Sequence, residues 1–67
     1  MKIDYMSERV GNTNVIALQR DQDKYLIMYD DSQRLQAMGA LGRYASNPKL
    51  NFTWNDAVIL FRKMKEA

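Results

Sequence analysis

Apolar residues fall in short, compact runs up to Tyr29 and at three- and four-residue steps beyond it. The first pattern suits strands and the second suits helices. Residues 2–6 (KIDYM) read as a first, edge-like strand. Residues 10–13 (VGNT) read as a tight hairpin turn, because Gly and Asn both tolerate positive φ. Residues 14–20, with Val15, Ile16, Ala17 and Leu18 in succession, suit a second strand, which the polar residues 21–23 (DQD) then break. Residues 24–29 (KYLIMY) are bulky or aromatic almost throughout and make the strongest strand signal. Such short connections imply an antiparallel meander.

Strand periodicity places Tyr25, Ile27 and Tyr29 on one face of that meander and Leu26 and Met28 on the other. Both faces are therefore apolar, whereas a sheet with one wet face would alternate. Two helices can cover only one of them. A second copy of the chain is the expected cover for the other.

The first helix is expected to start at Asp30, with Gln33 three residues on completing a capping box and Asp31 as an alternative cap. It runs to about Ser46, with Leu35, Met38, Leu41 and Ala45 on one stripe and Ala37 and Tyr44 beside it. Gly39 and Gly42 fall inside it, each costing about 1 kcal/mol relative to Ala. With Leu35 and Ser46 they line a flank where another backbone could approach closely. Asn47 precedes Pro48 and leaves helical geometry, and the short connection that follows makes the helices neighbours. The stretch from 52 to 64, which carries the second helix, holds the only Trp and both Phe residues. Thr53 caps its first turn, Asp56 reaches back to Thr53 N–H, and Trp54, Ala57, Val58, Phe61 and Met64 form its inward stripe. Arg62, Lys63 and Lys65 in the last turn suit the helix dipole. The expected fold is α+β, a three-stranded antiparallel β-meander followed by two α-helices packed on one face (βββαα), in a single domain over residues 1–67.

Composition narrows the function more than it names it. A chain of 67 residues buries only about 60% of its unfolded surface, so stability from its own core is marginal. Small domains usually add disulfides, a metal or a partner. Cys and His are both absent, which removes disulfides and the usual zinc ligands and leaves tight packing alone or self-association, of which self-association is expected. The same absence removes the commonest general base and the most nucleophilic side chain, so an enzyme is not expected. Hydrophobic residues at 46% and charged residues at 27% exclude a disordered chain. There is no basic-then-apolar leader and no apolar run near the ~20 residues that span a bilayer. A cytoplasmic protein with no membrane partner is expected.

Several local patterns resemble sites and are better read as structure. Asp30 and Asp31 stand where helix caps belong. Residues 21–23 open like a calcium loop, but the later Gly is missing and the twelfth position is Ser32 rather than Glu. Residues 51–53 (NFT) match a glycosylation sequon, yet Thr53 is already used as a cap. No catalytic, cofactor-binding or metal-ligating residue is assigned.

Charge carries a weaker hint. The net charge is +2, but residues 1–30 balance at −1 and residues 31–67 at +3. Arg43, Tyr44, Asn47, Lys49, Asn51 and Trp54 surround the turn between the helices. A helix–turn–helix is disfavoured because Val58, Ile59, Leu60 and Phe61 leave its second helix little to read base edges with. Those apolar residues also spread wider round the cylinder than a helix on a small sheet needs.

The leading expectation is a non-enzymatic interaction module, a homodimer or a binder of another protein, using Tyr25, Ile27, Tyr29, Gly39, Gly42, Ile59 and Leu60. The alternative is a nucleic-acid-binding accessory protein. Arg43, Lys49, Arg62, Lys63 and Lys65 would then meet phosphates while Tyr44 or Trp54 stacks on bases.

Overall fold

In the computed structural model, residues 2–66 are described, with side chains as far as residue 65. Strands β1 (Ile3–Val10), β2 (Thr13–Arg20) and β3 (Asp23–Tyr29) form an antiparallel sheet in that order. The hairpin loops are two residues each, and their first residues, Gly11 and Asp21, have φ of 61° and 54°. Gly pays no Cβ penalty there, and Asp is among the few other residues that tolerate the left-handed region. These two-residue loops set the register. Tyr5 lies opposite Leu18, which lies opposite Tyr25; Met6, Ala17 and Leu26 form the next row.

A single 3₁₀ turn (Asp31–Gln33) precedes α1 (Arg34–Ser46), and α2 (Trp54–Glu66) closes the fold. The Asp30–Gln33 capping box is present and opens the 3₁₀ turn rather than the α-helix itself. Asn47 is extended, so α1 ends before Pro48. At the start of α2, Thr53 Oγ1 accepts from Asp56 N–H at 3.1 Å, and Asp56 Oδ2 accepts from Thr53 N–H at 2.8 Å. The architecture is α+β, βββαα, with both helices on the same face of an open sheet.

The core lies between that face and the helices. Ile16, Leu18 and Tyr29 meet Ala37, Leu41, Phe52, Ala57, Leu60 and Met64. Tyr25, Tyr44 and Phe52 close one end with ring centroids 5.3–6.0 Å apart, two of the three pairs edge-to-face. Helix rotation differs from the periodicity reading. The buried side of α2 is Asp56, Ala57, Leu60 and Met64, while Trp54 and Val58 are 56% and 42% exposed. In α1 the buried positions are Ala37 and Leu41, and Leu35 is 81% exposed. A polar residue, Asp56, sets the rotation of α2 by reaching into the sheet, a pull that apolar spacing does not register.

Candidate interaction surfaces

One polar cluster couples the helices to the sheet. Asp56 sits at the third position of α2 and is fully buried. Arg20, the last residue of β2, reaches it with two guanidinium contacts, Nη2 to Oδ1 at 2.6 Å and Nη1 to Oδ2 at 2.7 Å. Tyr5 on β1 donates its hydroxyl to the same Oδ1 at 2.7 Å. Arg20 Nη1 also donates to the Asn51 carbonyl at 2.8 Å. Burial opposes ionisation of Asp56, but the hydrogen bonds from Arg20, Tyr5 and Thr53 outweigh it and hold the carboxyl well below the usual carboxylate range. Burial and the bond to this carboxylate push the Tyr5 phenol up. With its oxygens taken by four donors, the Asp56 carboxylate has no lone pair directed at a substrate. The cluster is a fastener for the fold. Sequence reasoning missed the pairing, and its one signal was an Arg terminating an apolar strand, since Asp56 was already explained as a cap.

A second polar cluster sits at the other end of the sheet. Asn14, buried in β2, donates from Nδ2 to Asp31 Oδ1 at 2.8 Å, and Arg9 pairs with the same carboxylate at 3.2 Å. The bonds from Asn14 and Arg9 lower the pKa of Asp31. This cluster ties the start of the helical layer to β1 and β2.

The expected interface residues divide once placed. Tyr25, Ile27 and Tyr29 point toward the helices; Tyr29 is buried, and Tyr25 accepts a hydrogen bond from Asn51 N–H at 2.9 Å. Leu60 is 1% exposed and belongs to the core, and Ile59 is half-buried. Tyr29 and Leu60 therefore offer no surface to a partner, a correction whose cause is the helix side of the sheet and the rotation of α2. Gly42 faces the Trp54 ring, where an added Cβ would lie 3.8 Å from Cη2, so this part of the flank is used within the chain. Gly39 remains exposed beside Arg43.

Among the described residues, no helix lies on the opposite face of the sheet. Its rows read Asp4–Gln19–Lys24, then Met6–Ala17–Leu26, then Glu8–Val15–Met28, then Val10–Thr13. Met6, Val10, Leu26 and Met28 are exposed large hydrophobics. Ala17 lies between Met6 and Leu26, and a shallow depression of about 360 Å³ opens there, bordered by Asp4, Gln19 and Lys24.

The alternative, nucleic-acid set also divides. Tyr44 is half-buried in the aromatic cluster with Tyr25 and Phe52. Arg43, Lys49, Trp54, Arg62 and Lys65 are exposed and Lys63 is half-buried. Among the described residues, no group of His, Cys, Asp or Glu side chains is arranged to hold a metal ion. No helix among them is long and apolar enough to cross a membrane.

Neither the protein-family models, the curated proteins nor the solved structures give a match to this chain.

Proposed function

We propose that the protein is a non-enzymatic interaction module that pairs with a second copy of itself through the uncovered sheet face. The observation that carries this reading is the exposed Met6, Leu26 and Met28, on two adjacent rows of a face that none of the described elements covers. Stacked sheets pack about 10 Å apart with their inner side chains interdigitating. Met6 and Met28 are unbranched and adaptable, which suits filling such a layer around the small Ala17.

The polar border supports a second copy as the occupant. Asp4 and Lys24 lie in one row at opposite edges of the sheet, with Gln19 between them. A two-fold axis running along β2 in the plane between two sheets exchanges the edges while keeping the row. Asp4 of one copy then meets Lys24 of the other, twice, and Met6 meets Leu26. Three strands of eight residues or fewer measure roughly 26 by 14 Å from standard strand spacings. Allowing for side-chain relief, the pair buries on the order of 1,000 Å², the lower bound of a specific interface. The expected dimer is therefore a modest one, formed at micromolar concentration.

Sedimentation equilibrium tests it. The expected mass at micromolar concentration is twice 7.8 kDa, and Leu26→Gln yields a folded monomer. Asp4→Lys weakens the dimer, and adding Lys24→Asp restores it, because the reversed charges meet again across the same axis. A clean monomer at all concentrations, or a dimer indifferent to Leu26→Gln, overturns the proposal.

A further inference from the structure

The basic excess lies in the helical layer. Residues 1–31 hold six carboxylates against four cations, whereas residues 32–67 hold only Asp56 and Glu66 against six cations. Asp56 is buried and bound to Arg20 from the sheet, so it contributes nothing to the outer surface. From α1 through Lys65, the described surface of the helical layer presents Arg34, Arg43, Lys49, Arg62, Lys63 and Lys65 and no carboxylate. Arg34 leans toward Asp31 at 3.8 Å. The other cations lie on the helices and the connection between them.

The aromatic in this field is Trp54. It is 56% exposed, unusual for the side chain with most to gain from burial. Its Cη2 edge is braced against Gly42, at a distance of 3.8 Å from the Cβ that Gly42 lacks. The ring is thus braced by α1, and more than half of the residue is exposed. Steps of four, four and three residues put Trp54, Val58, Arg62 and Lys65 on one stripe of α2. Trp54 and Arg62 are about 12 Å apart along it. Arg43, next in sequence to the Gly42 against which the ring rests, and Lys49 are exposed at the end of α1 and in the connection.

We infer that this outer face of the helical layer binds single-stranded nucleic acid, with Arg43, Lys49, Arg62 and Lys65 on phosphates and Trp54 stacked on a base. A cationic surface with an open aromatic ring is the arrangement that tracks a single strand without sequence preference. A duplex keeps its base faces hidden and gives the ring nothing to stack on. A membrane surface would call for a continuous apolar stripe. Here Leu35, Trp54 and Val58 are interrupted by Gln36, Arg43 and Asn55, all exposed. The site is separate from the sheet face, so a sheet-paired dimer carries it on both outer sides.

The test is fluorescence anisotropy of a labelled oligothymidylate of about 15 nucleotides, long enough for the usual single-strand site sizes. With four phosphates neutralised, affinity falls about 50-fold between roughly 50 and 200 mM salt. Trp54 emission is quenched on binding. Trp54→Ala lowers affinity about 5-fold or more. Arg43→Gln with Lys49→Gln flattens the log–log salt slope by about 1.4. The monomeric Leu26→Gln variant still shows the quenching, so this inference and the sheet-face proposal fail separately. The inference is overturned by any of four results. These are no binding at the lower salt, an affinity unchanged by Trp54→Ala, a preference for the matching duplex, or binding to phosphatidylserine vesicles with none to the oligonucleotide.

Discussion

Asp56 shows how one side chain is asked to do two things at once. Its carboxylate closes the first turn of α2 on Thr53 and receives Arg20 and Tyr5 from two strands. A buried charge is tolerated only while its partners remain. Asp56→Asn is expected to cost about 3–5 kcal/mol, because it leaves the Arg20 guanidinium buried and unpaired. That approaches the whole stability of a chain this small, and urea titration measures it. Replacing the pair together, Arg20→Met with Asp56→Leu, recovers part of the loss, since no lone charge is left inside while Tyr5, Thr53 and the Asn51 carbonyl lose a partner. The pH dependence follows from the lowered pKa of Asp56. A carboxylate depressed in the folded state contributes in full above its unfolded value near 3.9. That contribution is lost as pH falls below this value toward the folded one. Urea midpoints are therefore expected to stay level from neutrality to about pH 5 and to drop steeply below about pH 4.

At the scale of elements, the ends were easier to read than the faces. Hairpin residues Gly11 and Asn12, the Asp30–Gln33 box, the Thr53–Asp56 cap and the stop at Asn47 all depend on neighbours in sequence. Each is therefore visible before folding. Which side of a helix turns inward depends on what lies across from it. The inward side of α2 is displaced by close to one residue step, about 100°, from the stripe its apolar spacing indicates, and Trp54 and Val58 come to the surface. The two positions make a measurable contrast. Leu60→Ala, at a core site that is 1% exposed, is expected to cost about 2–5 kcal/mol. Val58→Ala, 42% exposed, should stay within about 0.5 kcal/mol. Thermal or denaturant melts of the two variants check the rotation directly, and equal losses would contradict it.

For the whole molecule, the layers have opposite characters. The sheet layer is close to charge balance and leaves one apolar face uncovered, and the helical layer is basic on its outside. Self-pairing through the sheet would cover the first and display the second. It would also tie stability to concentration, since anything that binds only the folded chain raises its apparent stability by mass action. The melting temperature is expected to rise with protein concentration over the micromolar range, and the Leu26→Gln variant should lose that dependence. A melting point that does not move with concentration in the unmodified protein would count against the pairing.

The sequence alone determined the order of the elements, the Gly11–Asn12 hairpin, the caps and the presence of more apolar surface than one helical layer can hide. These follow from interactions among residues a few positions apart, or from simple counts. Only the tertiary structure decided that Tyr25, Ile27 and Tyr29 face inward while Leu26 and Met28 face out. It alone joined Arg20 to Asp56 across 36 positions and left Trp54 open above Gly42. Strand alternation divides residues between two faces without naming the buried one, and a helix's apolar spacing does not weigh a charge partner brought from a distant strand. Those choices are made by contacts between elements, which no local pattern contains.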